Sequence, residues 1–247
     1  MTLHKSGNLG ELNHNHLTTF GRKVMKRHLK IIGPFESIIS KIKLFILSGI
    51  VAFNYNCEDA STADNNSSNL LFIASEGNFG QNNGSISVFN EDEKIQELLN
   101  VGDVLQSILV HDNNLYAIIN GDSEIKRYAI SETGLTLPGI TISTNNSSPR
   151  EMCVLNNKLY FSNWNSKDIK VLNLNTFAIE QSIPLNGLPE DITTDGTNLY
   201  ASVPHLELYD QGNGTTVVKI NPLTNQTIKT YEVGKGPQHL IIHNDNL

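Results

Sequence analysis

Four segments of the chain share one order of polar and apolar positions. Each begins with Leu or Pro and two polar residues, continues as an apolar run, passes through Asn, Asp or Gly, and closes on Leu. The segments are Leu105–Tyr116, Pro149–Tyr160, Pro189–Tyr200 and Pro237–Leu247. The closing leucines are 44, 40 and 48 residues apart, and residues 69–72 form an earlier partial copy. This spacing indicates that one supersecondary unit is repeated along the chain.

The unit that begins at Pro149 shows the predicted structure of one repeat. Its predicted strands are Glu151–Leu155, Lys158–Asn163, Ile169–Leu174 and Ala178–Pro184. Asn156 and Asn157 separate the first two, and Asn tolerates the positive φ that a type I′ turn requires. Four antiparallel strands in about 40 residues are typical of a β-propeller blade, whose two faces are covered by neighbouring blades. The alternatives are a β-sandwich, which gives no reason for a fixed spacing, and a β-solenoid, which usually has a shorter repeat.

Three motifs connect the repeat to a known family. Tyr160–Asn163 stands where that family has Y-V-T-N, residues 221–228 look like its I-D-x-x-T-x-x-V turn, and residues 233–237 look like its V-G-x-x-P link. Over residues 69–247 the chain thus resembles the YVTN-type (YncE-like) repeat of exported β-propellers. Residues 75–86 also resemble the start of a propeller family of bacterial surface lipoproteins. The departures are Leu105, where other copies have Pro, and an insertion at His205–Gly214.

The predicted fold class is therefore all-β, a β-propeller of four-stranded antiparallel blades over residues 69–247. The residues hold about four blades, whereas the resembled family typically has seven, so we expect an incomplete seven-bladed ring. The alternative is a closed four-bladed ring, in which the last inner strand joins the first blade. An open arc leaves blade faces and strand edges unpaired, and we expect such a chain, expressed alone, to aggregate or dimerise.

The first 68 residues have the sequence pattern of a targeting segment rather than of a folded domain. Residues 1–40 are a predicted extension whose natural start could be Met25. Residues 41–57 are a predicted signal peptide or lipoprotein anchor, because Lys41 and Lys43 precede ten apolar residues, too few to span a bilayer comfortably. Residues 58–68 are small and polar, which predicts a tether. These features predict an exported protein of the cell envelope: an outer-membrane or surface lipoprotein, or else a periplasmic protein.

Cys57 is the predicted lipidation site. It follows the apolar stretch at the distance seen in lipoprotein signals, and Glu58 and Asp59 resemble the acidic tag of surface lipoproteins. Asn54 and Asn56 depart from the apolar and small residues of the usual pattern. A soluble protein cleaved nearby and an uncleaved anchor are the alternatives.

Charge and cysteine content restrict the function further. Residues 57–247 carry ten Lys or Arg against twenty-three Asp or Glu, a net charge of −13. An acidic body repels phosphate backbones, which disfavours nucleic acid as a partner. The two cysteines, Cys57 and Cys153, cannot form a disulfide framework, and no Cys/His spacing indicates zinc. Cys153 lies in an apolar run and is predicted to be a small buried side chain.

Polar pairs at the start of each predicted inner strand form the candidate site. Propeller inner strands surround a channel, so these side chains are expected to converge at its mouth, where polar groups are the default binding-site hypothesis. The pairs are Gln106 and Ser107, Arg150 and Glu151, Glu190 and Asp191, and Gln238 and His239. The alternative is a mouth that is filled with water and binds no ligand, where polar residues would be equally favourable. Glu151, Glu190, Asp191 and His239 could in principle bind a divalent cation, but no spacing fixes their separation.

Two groups of aromatic residues have different expected roles. Tyr116, Tyr160 and Tyr200 recur at one repeat position, which predicts packing between blades. Trp164 follows a strand and is predicted to be exposed in a turn, where it could contact a partner.

Three functions compete at this point. The first is a non-catalytic scaffold at the cell envelope that binds a protein, glycan or small molecule and needs no cofactor. The second is a metal-dependent lyase or lactonase-like enzyme with its site at the channel mouth. The third is an envelope component without a discrete ligand.

Overall fold

The computed structural model describes residues 69–243. This part of the chain folds entirely into antiparallel strands and turns, and it contains no helix that could cross a membrane. The predicted extension at 1–40, the signal segment at 41–57 with Cys57, and the tether at 58–68 lie outside the described residues.

The first two sheets are blades 1 and 2. Blade 1 consists of β1 (Leu70–Ser75), β2 (Ser85–Asn90) and β3 (Glu93–Leu98). Blade 2 consists of β4 (Leu105–His111), β5 (Asn114–Ile119), β6 (Glu124–Ser131), β7 (Gly134–Leu135) and β8 (Ile140–Ser143). The outer edge of blade 2 is divided, because β7 pairs with the end of β6 and β8 pairs with its start. The short β7 also joins the two blades, since Gln96 exchanges two hydrogen bonds with the Leu135 backbone.

Blades 3 and 4 each have four strands. Blade 3 consists of β9 (Pro149–Leu155), β10 (Lys158–Asn163), β11 (Asp168–Asn173) and β12 (Ile179–Pro184). Blade 4 consists of β13 (Ile192–Thr194), β14 (Leu199–Val203), β15 (Thr216–Asn221) and β16 (Gln226–Glu232). Asn156 and Asn157, between β9 and β10, have φ angles of 51° and 57°, as the predicted type I′ turn requires.

The blades stack face to face because the middle strands are apolar on both sides. On β10, Leu159 and Phe161 pack against blade 2, whereas Tyr160 packs against blade 4. On β5, Leu115 packs toward blade 1 and Tyr116 toward blade 3. Since successive strand residues point to opposite faces, a continuous apolar run serves two interfaces at once. The inner strands β4, β9 and β13 lie side by side, which is the radial arrangement of a β-propeller.

Burial is confirmed for four residues, and packing between blades is confirmed for two of them, Tyr116 and Tyr160. Tyr116, Tyr160 and Tyr200 are all buried, and so is Cys153. Burial raises the pKa of the Cys153 thiol to about 12, with a smaller contribution from the charge of Asp191. The thiol is therefore a packing group rather than a nucleophile.

The segment after β16 adds to blade 4 rather than to blade 1. Residues 237–243 form no strand. The Gln238 carbonyl accepts a hydrogen bond from Ser202 Oγ at 3.0 Å, and the Leu240 N–H donates to Asp191 Oδ2 at 2.6 Å. Within the described residues the alternative in which this segment joins the first blade is therefore wrong.

The outer face of β1 tests the expectation of self-association. Leu71 and Ile73 are 54% and 43% exposed, side by side on one face of the strand. We expect the chain to elute as dimers or larger species and Leu71→Lys/Ile73→Lys to increase the monomer fraction, because lysines on an open sheet discourage pairing. Analytical ultracentrifugation measures both. The matched control is Leu223→Lys, which changes an exposed leucine in a turn; a monodisperse wild-type monomer would contradict the expectation.

Candidate functional site

The channel mouth is the end of the blades at which the inner strands β4, β9 and β13 begin. Because neighbouring strands are antiparallel, this end also carries the turns between the second and third strands. Asn163, at the end of β10, pairs with Pro149 at the start of β9. The Trp164 turn of blade 3 and the 205–214 insertion of blade 4 therefore lie at the same end as the predicted site residues.

Arg150 connects three blades at this mouth. Its Nη2 and Nε donate to Glu190 at 2.8 Å and 3.1 Å, and its Nη1 donates to Gln106 Oε1 at 2.8 Å. Glu190 is only 7% exposed, so the ion pair is shielded from water. The guanidinium carbon also lies 4.3 Å from the centroid of the Trp164 ring. We call Gln106, Arg150, Trp164 and Glu190 the Arg150 cluster.

Trp164 does not occupy the exposed position that the sequence predicts. It is half-buried, with Arg150 over its ring and His205 in edge contact at 5.4 Å between centroids. Its backbone N–H donates to the Ser148 carbonyl, which folds the turn back toward the start of β9. The indole Nε1 is buried without a hydrogen-bond partner among the described residues. The prediction of an exposed tryptophan is therefore wrong.

Serine hydroxyls join blade 2 to blade 3, blade 3 to blade 4, and blade 4 to the segment after β16. Ser107 donates to the Arg150 carbonyl at 3.1 Å, Ser162 donates to the Glu190 carbonyl, and Ser202 donates to the Gln238 carbonyl. Ser162 and Ser202 also accept a backbone N–H from the inner strand of their own blade. These hydrogen bonds fix the backbone of the site residues, and so they fix the points from which the side chains extend into the mouth.

Glu151 and Asp191 form an acidic pair beside the Arg150 cluster. Burial raises the pKa of Glu151 to about 7, and the negative charges of Asp191 and Glu190 add to this, whereas the Ser107 hydroxyl and Arg150 oppose it. Arg150 donates to Glu190, so the acidic pair has no comparable cation of its own among the described residues. The mouth therefore holds a carboxyl group that is partly protonated near neutral pH.

This shift predicts how stability depends on pH. The folded state holds the Glu151 proton more tightly than the unfolded state, so the stabilising contribution is complete below about pH 4.5 and is lost as pH rises through about 7. We expect the free energy of unfolding of wild type to fall across this range relative to that of Glu151→Gln. Urea unfolding of both proteins at several pH values measures the difference. Parallel profiles would contradict the burial of Glu151.

The remaining predicted residues lie farther out. Gln238 and His239 are exposed, with the His239 side chain 82% accessible and its Nδ1 4.0 Å from Asp191 Oδ2. The structure thus brings six of the eight predicted residues together on blades 2, 3 and 4 and leaves these two at the edge. Their role in binding stays a prediction. Residues 69–243 contain no group of three or more His, Cys, Asp or Glu side chains that could hold a metal ion.

The insertion of blade 4 contributes residues that the sequence does not single out. The Asp210 carboxylate accepts hydrogen bonds from the backbone N–H groups of Leu206 at 2.6 Å and Gly212 at 3.0 Å. Its Oδ1 also lies 2.8 Å from His205 Nδ1. These hydrogen bonds outweigh the desolvation that burial brings and lower the pKa of Asp210 well below its ordinary value. The insertion is therefore an ordered wall of the mouth, and its unusual length is the sequence signal that could have drawn attention to it.

Comparisons with solved structures agree with a β-propeller. The chain is similar to the WD40 β-propeller domain of Doa1, with 12% identity, a TM-score of 0.51, and coverage of 66% of this chain and 50% of that one. It is also similar to the dihydro-heme d1 dehydrogenase NirN, with 13% identity, a TM-score of 0.52, and coverage of 70% and 38%. A chain in the mitotic checkpoint complex matches with 8% identity, a TM-score of 0.53, and coverage of 66% and 49%.

These likenesses establish the fold alone, since all three identities are low and the three proteins are of different kinds. The match spans half or less of each of these chains. No protein-family model matches the sequence, and no curated protein sequence matches it. The function must therefore be inferred from the site.

Proposed function

We propose that the chain is a non-catalytic β-propeller scaffold that binds a ligand or partner protein at its channel mouth. The observation that carries the proposal is the convergence of Gln106, Ser107, Arg150, Glu151, Glu190 and Asp191, contributed by three blades. Polar groups that meet in a partly water-shielded mouth are the usual basis of specific recognition on a rigid scaffold.

The charge of the mouth favours a ligand with a cationic group. Arg150 and Glu190 neutralise each other, so the acidic pair of Glu151 and Asp191 sets the local sign. Burial of an uncompensated carboxylate is unfavourable, and a bound ammonium or guanidinium would relieve it. A surface Lys or Arg of a protein, or the amine of a small molecule or amino sugar, has this chemistry.

The proposal includes an envelope location. Its support is the sequence alone: basic residues, a ten-residue apolar stretch, and Cys57 followed by two acidic residues. Cys57 would carry a lipid anchor. Incorporation of a labelled fatty acid by wild type and not by Cys57→Ala tests it, and equal incorporation would exclude lipidation at this residue.

The binding experiment compares a variant changed at the channel mouth with a control variant changed at the opposite end of the blades. The protein is used to capture partners from envelope extracts of the producing cells, alongside Glu151→Gln/Asp191→Asn and Asp112→Asn. Asp112 lies in the turn after β4, at the opposite end of blade 2, with a side chain 77% exposed. We expect a partner that wild type and Asp112→Asn retain and the double variant loses. Equal retention by all three would refute binding at the mouth.

The alternative of a metal-dependent lyase or lactonase has a separate test. Elemental analysis of the purified protein, with thermal unfolding before and after chelator, would support it if calcium or iron were present in stoichiometric amount. A metal-free protein with unchanged stability would argue for the scaffold.

A further inference from the structure

A second cavity lies at the same end of the blades as the channel mouth, outside the predicted site. It has a volume of about 340 Å³. Trp164 of blade 3 lines it together with six residues from the blade 4 side: Leu188, His205, Glu207, Leu208, Tyr209 and Gln211. Small-molecule sites typically begin at about 300 Å³. We call this cavity the side pocket.

The lining of the side pocket favours an uncharged ligand. Its accessible surface is almost wholly apolar, although Glu207 and Gln211 border it beside the indole, the phenol, the imidazole and the two leucine side chains. The ionisable groups of the lining already have partners: His205 Nδ1 lies 2.8 Å from Asp210, and Glu207 lies 2.6 Å from Lys167 Nζ. A charged ligand would lose its hydration without gaining a free counter-charge, whereas a flat apolar ring would gain contacts.

The pocket is held open by the structure of the insertion. Asp210 binds the backbone on both sides of Tyr209, and Tyr209 and Gln211 have φ angles of 64° and 60°, where residues other than Gly are uncommon. Tyr209 is 96% exposed at the rim, whereas Leu188 is fully buried at the base. Such conformations persist when the surroundings fix them, and they concentrate at ligand sites.

We propose that the side pocket binds a neutral aromatic ring of a small molecule. The inference does not depend on the acidic pair, because none of its charges enters the argument for the pocket. A bound ring would add a further contact to those that Trp164 already makes with Arg150 and His205.

Trp164 makes the proposal directly measurable, since it is the single tryptophan of the 247-residue chain. Its indole N–H gives one cross-peak in a ¹H–¹⁵N spectrum of the full chain, and a ring bound beside it displaces that peak. The probe is indole, with indole-3-acetate as the charged analogue. We expect a saturable displacement by indole with a dissociation constant of about 1 mM, a value typical of a ligand of this size. Indole-3-acetate should bind at least about tenfold more weakly, because a carboxylate has no counter-charge there.

Two variants locate the binding. Leu208→Asp places a charge in the wall and should weaken indole binding about tenfold or more; the side chain is 48% exposed in the wild type. Tyr209→Ser removes an exposed ring that no packing depends on, and should weaken binding about threefold. The matched control is Leu223→Asp, on an exposed leucine of a blade 4 turn, which should leave the affinity unchanged.

Three results would overturn the side-pocket proposal. Absence of a saturable displacement up to about 10 mM indole, the top of a titration centred on the expected constant, would overturn the proposal. A displacement of equal strength in both pocket variants, or equal affinity for indole-3-acetate, would overturn it as well. Loss of capture by Glu151→Gln/Asp191→Asn bears only on the channel mouth, so the two proposals fail independently.

Discussion

Arg150→Met is expected to lower the free energy of unfolding by about 3–5 kcal/mol, the range measured when one partner of a buried ion pair is removed. The reason is Glu190, whose side chain is only 9% exposed and receives three hydrogen-bond contacts from Arg150. Met fills much of the volume of Arg but leaves that charge without a counter-ion. Gln106 also loses a hydrogen bond, and the Trp164 ring loses the cation above it.

Chemical denaturation of three variants measures how much the unpaired Glu190 charge destabilises the fold. Arg150→Met/Glu190→Gln should recover a large part of the loss, because the second change removes the unpaired charge. The matched control is Lys158→Met, which breaks the Lys158–Glu180 pair at 3.1 Å, whose two side chains are each 35% exposed. Solvent-exposed pairs contribute little. A loss for Arg150→Met no larger than that for Lys158→Met would contradict the buried pair.

Gly214→Ala is expected to destabilise blade 4 by about 3 kcal/mol or more, at the upper end of measured overpacking effects. A Cβ at Gly214 would overlap the Val203 carbonyl oxygen and would lie 2.7 Å from the Pro204 carbonyl carbon. Both are backbone atoms, so no rotamer change relieves the contact. The chain must move where the insertion leaves β14, and the Gly214 N–H to Pro204 carbonyl bond of 2.8 Å is lost with it.

The control for this substitution is Gly234→Ala, where no atom lies within 4 Å of the added carbon. Denaturation midpoints report the global effect, and the fluorescence of Trp164, which contacts His205 at the start of the insertion, reports the local one. Gly214→Ala with the stability of Gly234→Ala would show that the backbone approach in the structure is wrong.

The repeat and its turns were predictable because short-range rules determine them. In blade 3 the predicted strands match β9–β12 to within about two residues, the uncertainty of any strand end. The burial of the recurring tyrosines was predictable for the same reason, because equivalent positions in stacked units are covered in the same way. Blade 2 departs because β7 and β8 divide one outer edge between them, and no local signal in residues 131–143 fixes that pairing.

The candidate site was only partly predictable. Arg150 and Glu190 both stood among the predicted residues, but their pairing joins two blades and positions 40 residues apart, so it depends on how the blades stack. The position of Trp164 was predicted wrongly because a turn signal says nothing about which way the turn folds. The insertion was visible as extra length, yet its order depends on one carboxylate that collects several N–H groups, which sequence spacing does not reveal.

The serine hydroxyls beside the inner strands all donate toward the part of the chain that follows their own blade. Ser162 and Ser202 each accept a hydrogen bond from the backbone of their own blade. Ser162 donates to Glu190 of blade 4, and Ser202 donates to Gln238 of the segment after β16. Each hydroxyl therefore connects a blade only to the part of the chain that follows it in the stack, which is a nearest-neighbour coupling. Ser162→Ala would remove this hydrogen bond between blades 3 and 4, whereas the apolar packing between them would remain.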